Sequence, residues 1–288
     1  MERGKIGLIT PSITYSKKGS SFDIKAASLY SAAIHISGNK IDIGFSDPQS
    51  GELLHIDQYE KGEPLDTQSL INTLTQSSLC LGLKSAIKNT FYVTTSRFSI
   101  VPSAFFTVET ISDWKVHSFE LEESEELISK FIPEIDSHII FPVSSILKNE
   151  LKSKIGHTEF GHHFASLIST YHIYYRETVG SQLFIHFHST QFSLALFEDE
   201  KMVLFNVYDM KSWEDILYYT YYCLEQFNFS PSQTKINLGG YFEYISELTT
   251  ALQRYSKHIF HLKAKGIDSI DATKEAKLLS TIFNLQCG

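Results

Sequence analysis

The stretch Phe184 to Phe197, FIHFHSTQFSLALF, carries an HxH pair, His186 and His188. Alternate residues of a strand share a face, so both imidazoles would point to one side, as metal ligands do. Zinc takes three or four ligands from His, Cys, Asp or Glu, so the pair needs help from elsewhere. The segment GHTEFGHH, Gly156 to His163, offers His157, Glu159, His162 and His163. Glu159 and His163 would stand at i and i+4 on one helix face, but the spacing is not HExxH, the metalloprotease arrangement. The bland alternative places His186 and His188, among Phe184 and Phe187, on the polar face of a half-buried strand. The sequence favours that alternative and assigns no residue to a metal.

Other chemistry is weaker. No GxSxG elbow is present, and LGLKSA, Leu81 to Ala86, lacks the GxxxxGK[ST] frame of a phosphate-binding loop. Cys80 and Cys223 lie in helical patterns among apolar neighbours, where a thiol is inert packing. With Cys287 the cysteines are odd in number and unpaired in spacing, which predicts reduced thiols and a cytoplasmic setting. The net charge of −8, from 25 basic and 33 acidic residues thinly spread, excludes nucleic acid as the main partner. No apolar run is long enough to predict membrane insertion. The aromatic run YYTYYCLEQFNF, Tyr218 to Phe229, places Tyr218, Tyr221, Tyr222 and Leu224 on a broad packing face, and an exposed remainder would suit an unknown protein partner.

These residues need elements to hold them. Period-two alternation predicts strands at 32–36, 40–45, 53–59, 91–95, 138–143, 183–188, 191–197, 202–208, 235–238 and 258–262. Apolar residues at helical spacing predict helices at 67–79, with Asp66 as N-cap, and at 122–131, 144–154, 162–171, 213–227, 242–255 and 273–284. Strands alternating with helices imply an α/β fold.

An internal repeat narrows this. AAIHISGNKIDIGF, Ala32 to Phe45, aligns without a gap to LFIHFHSTQFSLAL, Leu183 to Leu196, so that His35 falls on His186, Ile41 on Phe192 and Ile43 on Leu194. GELLHIDQYE, Gly51 to Glu60, then falls on EKMVLFNVYD, Glu200 to Asp209. Each copy reads strand, turn, strand, turn, strand, helix, strand. Such a duplication points to two β-β-β-α-β-α halves flanking a cleft. The predicted division is a loose N-terminal lead-in at 1–26, a first half at 27–178 with a strand-rich insertion at about 96–134, and a second half at 179–288, whose last helix packs back on the first half.

The duplicated meander resembles the actin-like ATPase (ribonuclease H-like) fold. With Val101 and Pro102 in a Phe-rich segment, the helix near His162 and the ending in Cys287, the chain is similar to an uncharacterised bacterial family, domain of unknown function 3822, itself distantly similar to pilus-assembly ATPase-like proteins. The resemblance covers about residues 28–288 and implies ATP and magnesium as candidate cofactors. In that superfamily each meander wraps a phosphate-binding turn, and an Asp on its first strand holds the waters of Mg²⁺. On this mapping the turns are Ser37, Gly38, Asn39 and His188, Ser189, Thr190, and Gly239 with Gly240 matches the adenosine-side glycine pair. The two acids fall at His35 and His186. Imidazole is a poor ligand for Mg²⁺, so the mapping predicts a pseudo-ATPase without efficient hydrolysis, acting through protein interactions. The competing expectation is an active ATPase or kinase with relocated carboxylates, such as Asp42 or Asp47.

Overall fold

The computed structural model describes residues 12–63, 65–109, 111, 120–176, 180–264 and 272–287. Strands β1 (Ser12–Lys18), β2 (Ser31–Ser37), β3 (Lys40–Ser46), β4 (Leu53–Glu60), β5 (Lys88–Val93) and β9 (Glu159–His162) form one sheet in the order β1-β4-β3-β2-β5-β9. Between β5 and β9 the chain makes a small sheet, β6-β8-β7, from β6 (Ser99–Pro102), β7 (Glu125–Ile132) and β8 (Ser137–Ser144). The third sheet runs β12-β11-β10-β13-β14, from β10 (Gln182–Phe187), β11 (Gln191–Glu198), β12 (Lys201–Asp209), β13 (Lys235–Gly239) and β14 (Ile259–His261).

The two large sheets repeat one plan: an antiparallel meander of three strands, then two strands parallel to its first. Register makes the duplication concrete. His35 pairs with Asp42 across β2 and β3, and His186 pairs with Ser193 across β10 and β11. His35 and His186 therefore hold equivalent positions, as the gap-free alignment requires. The fold is a duplicated α/β architecture of two halves flanking a cleft.

Helices fill three layers. α1 (Thr67–Gln76) and α2 (Cys80–Ser85) cover the first sheet; Leu70, Ile71, Leu74 and Leu83 pack in the core that also holds Ile34, Ile43 and Phe45. Asp66 caps α1 by accepting from the Ser69 backbone N–H at 2.8 Å. α3 (Ser145–Lys154) follows β8. α4 (His163–Arg176) and α7 (Ala272–Cys287) lie between the large sheets, and their Phe164, Tyr171, Leu278 and Ile282 share a core with Phe184 and Phe197. α5 (Trp213–Gln226) and α6 (Ile245–Leu252) close the far face of the third sheet over Leu183, Ile185 and Leu238. Alternation along β10 thus sends Leu183, Ile185 and Phe187 outward and Phe184, His186 and His188 inward.

Three expectations change. The helix at 122–131 is strand β7: its acidic start imitates a helix N-terminus, but Leu127 packs with Val101 and Ile140 while Ile128 joins the main core, the two-sided alternation of a strand. The lead-in is not loose from Ser12 onward, because β1 forms the edge of the first sheet against β4; residues 1–11 of it lie outside the described residues. The helix at 67–79 stops early, at Gln76, where Ser77 is extended and its hydroxyl accepts from the Leu79 N–H, and the short α2 begins only at Cys80. Among the described residues no helix is long and apolar enough to cross a membrane.

Candidate functional site

A cavity of about 500 Å³ opens between the large sheets, a size that suits small-molecule binding. His35, Asp42, Gln58 and Glu60 line it from the first sheet, Phe187, His188 and Ser189 from the third, and Lys277 and Ser280 from α7. The two meander turns meet here. Gly38 has φ +62°, as a tight hairpin needs, and a β-carbon on it would lie 3.6 Å from the Ser189 hydroxyl.

Of the residues mapped as phosphate turns, Ser37, Asn39, His188 and Ser189 line the cavity, and Gly38 lines a smaller pocket beside Ile36. The Asn39 amide is committed to the Lys61 carbonyl. Thr190 contributes its carbonyl to the Met210 N–H, and its side chain is not among the lining groups. Gly239 and Gly240 do not line the cavity either. They pack against His186: a β-carbon on Gly239 would come 2.9 Å from His186 Nδ1, and one on Gly240 3.2 Å from Nε2 and 2.6 Å from the Phe187 carbonyl. Gly240 instead lines a smaller neighbouring pocket with Tyr241 and Phe242.

Behind the cavity wall the histidines converge. Ring centroids lie 4.8 Å apart for His35 and His163, 5.7 Å for His163 and His186, 5.6 Å for His163 and His188, and 5.1 Å for His186 and His188. His163 is the first residue of α4, and His162 beside it donates from Nε2–H to the Thr95 carbonyl just past β5, 3.2 Å away, while its Nδ1 accepts from the Phe164 N–H. Contrary to the half-buried expectation, His186 is wholly buried, because α4 and α7 cover the inner face of the third sheet. Burial holds His35, His186 and His188 well below the usual histidine range, and neighbouring imidazoles add to the effect. Burial also takes His163 down to about 4 and His162 to about 3. The cluster is neutral.

Helix α7 supplies its partners. Ser280, Thr281 and Asn284 stand on one face among Leu278, Leu279, Ile282 and Phe283, and each meets one histidine: Ser280 meets His186 Nε2 at 2.9 Å, Thr281 meets His35 Nδ1 at 3.0 Å, and Asn284 meets His163 Nδ1 at 3.0 Å. The Thr281 hydroxyl also donates to Asp42 at 2.6 Å, and with its one proton spent there it must accept from His35 Nδ1–H. His35 Nε2 then accepts from the Thr94 hydroxyl at 2.9 Å, while Gln58 donates to the other Asp42 oxygen at 2.9 Å. Burial pushes Asp42 up to about 6, against the pull of the Thr281 and Gln58 hydrogen bonds.

Asp47 is not in the cavity. It sits in the exposed β3–β4 turn, where backbone and hydroxyl hydrogen bonds from Ser50 and the Gln49 N–H lower its pKa. His157 is exposed and Glu159 pairs with Lys130, so His163 alone of the GHTEFGHH ligands joins the HxH pair; Glu159 is on β9 rather than on a shared helix face with His163. The α7 partners were not singled out in the sequence, although polar residues at i, i+1 and i+4 inside an apolar stripe are a readable signal.

The donor set does not suit Mg²⁺. Magnesium wants oxygen ligands in near-octahedral array, whereas His35 and His186, the positions that the resemblance maps to acids, carry imidazole, and both oxygens of Asp42 already accept hydrogen bonds while burial raises its pKa.

A family model described as "protein of unknown function (DUF3822)" matches residues 19–259. The chain belongs to this family. Among solved structures, an actin-like ATPase-fold protein of unknown function from Bacteroides thetaiotaomicron matches with TM-score 0.79 and 18% identity, over 93% of this chain and 99% of that one. A chain of the PilM–PilN type IV pilus biogenesis complex matches with TM-score 0.58 and 10% identity, over 89% and 98%. The ethanolamine utilization protein EutJ from Carboxydothermus hydrogenoformans matches with TM-score 0.50 and 7% identity, over 90% of each chain. No curated protein matches. At these identities the likeness is of fold: this DUF3822 protein has the actin-like ATPase fold.

Proposed function

We propose that this DUF3822 protein is a degenerate actin-like ATPase, non-hydrolysing or only weakly nucleotide-binding, that works through contact with another protein. The observation that carries the reading is the equivalence of His35 and His186: the two positions where the resemblance expects metal-holding acids are both buried, neutral imidazoles turned toward α7 hydroxyls. Loss of one placed acid or base costs about 10² to 10⁴ in rate. The cavity and its two facing turns persist without them.

The partner half of the reading is supported by α5. Tyr218 and Tyr222 face outward and stack on each other, 61% and 45% exposed, beside Tyr255, Leu217 and Pro231 in an apolar groove rimmed by Glu214 and Glu225. The expected four-residue packing face is thus reduced to Leu224 and partly buried Tyr221, whose hydroxyl reaches the Leu252 carbonyl. The groove suits an apolar segment with basic flanks, and the PilM neighbour is itself solved with a protein partner.

The test is nucleotide-dependent stabilisation with and without magnesium. Ligand at about 100 times its dissociation constant stabilises a fold by about 2.7 kcal/mol. The reading predicts that any stabilisation by ATP is the same with Mg²⁺ or with a chelator, and a magnesium-dependent rise in Tm would contradict it. The competing active-ATPase reading rests on Asp42, which lines the cavity next to His35.

A further inference from the structure

We propose that His163, His186 and His188 form a binding site for a divalent transition-metal ion of the zinc class, open on one side to the 500 Å³ cavity. One ring nitrogen from each lies within 4.8 Å of the others. A tetrahedral zinc ion bonded at about 2.0–2.1 Å needs its nitrogens about 3.4 Å apart. The difference is a closing movement of about an ångström per ring, within reach of small side-chain rotations.

Hydrogen bonding sets two of the rings for such an ion. His163 Nδ1 faces the Asn284 carbonyl oxygen at 3.0 Å and so carries the proton, which leaves Nε2 with a bare lone pair. That Nε2 is fully buried and makes no hydrogen bond. His186 uses Nε2 on the Ser280 hydroxyl, and its Nδ1 is buried with no hydrogen bond. Metal-binding histidines are held in this way, one nitrogen fixed by a neighbouring oxygen and the other left for the ion. His35 is the counter-example in the same cluster, since threonine hydroxyls occupy both of its nitrogens.

The third ring completes the site. His188 is half-buried at the cavity edge, and its Nε2 has only a long 3.4 Å contact to the Ser193 hydroxyl. It is the ring freest to move onto an ion. Three histidines leave a fourth position for water or hydroxide on the cavity side, the arrangement of an open zinc site rather than a closed structural one. Imidazole selects zinc-class ions over magnesium and calcium.

The test uses the full chain without an affinity tag, stripped with a chelator and titrated with zinc sulfate against a chromogenic chelator. The proposal expects one zinc per chain with submicromolar affinity, and visible d–d bands of four- or five-coordinate cobalt when Co²⁺ is substituted. Buried His163 and His186 are needed for packing, so the deciding variants are the more exposed His188→Ala and the supporting Asn284→Ala. Each should weaken zinc at least about tenfold while circular dichroism stays unchanged. Surface variant His157→Ala should bind as wild type. Less than about a tenth of an equivalent bound would overturn the proposal. So would binding that His188→Ala and Asn284→Ala leave untouched.

Discussion

Asp42 illustrates how a single buried group links the cleft to stability. Its folded pKa of about 6 stands above the ordinary 3.8, so the folded state holds the proton more tightly than the unfolded chain. The stability contribution is therefore full below pH 4 and is lost as pH rises toward 6, by up to about 3 kcal/mol. Asp42→Asn removes that loss. Urea denaturation should find the variant stabilised relative to wild type at pH 7 compared with its effect at pH 4; an equal effect at both would show that Asp42 titrates normally. Thr281→Val keeps the shape but strips the hydroxyl between His35 and Asp42, leaving two buried groups unpaired at a cost of about 2–4 kcal/mol. A smaller change than about 1 kcal/mol would mean that the relay is not closed. Gly240, at φ +80° and against the Phe187 carbonyl, makes a third case. Gly240→Ala should cost at least about 1–3 kcal/mol from backbone strain alone, read from the urea midpoint, and an unaltered midpoint would refute the close packing on His186.

At the scale of elements, α7 is the decisive piece, for it carries Ser280, Thr281 and Asn284 to three histidines from three different elements. Sequence alone placed this helix and sent it back onto the first half, and Leu285 does pack there, against Gly44 of β3. What it did not give was the pairing of polar residues, because a buried serine in an apolar stripe reads as a neutral filler until the facing element is known. The meanders were legible because alternation and the gap-free repeat are local properties: Ile34, Ile41 and Ile43 on one face, His35 and Asp42 on the other. β7 was misread because an acidic lead and mixed apolar residues satisfy both periods over eight positions. The histidine cluster was half legible. HxH on β10 was visible, but His163 enters from a helix start whose position depends on the β5–β9 pairing, a tertiary fact.

Across the whole molecule, the duplicated sheets frame a cleft with imidazoles, His35 and His186, at two equivalent register positions, while the outward face of α5 offers aromatic surface. Any protein captured through that face should be lost by about 30-fold or more in Tyr218→Asp/Tyr222→Asp, since aromatic anchors are worth about 2 kcal/mol or more at an interface. Capture unaffected by the pair would move the partner surface elsewhere. Hydrolysis itself is tested by phosphate release from Mg·ATP by the purified chain, wild type beside Asp42→Asn. A degenerate ATPase gives release indistinguishable from buffer for both; release above buffer by wild type that vanishes in Asp42→Asn would contradict the proposed function and identify Asp42 as the relocated acid.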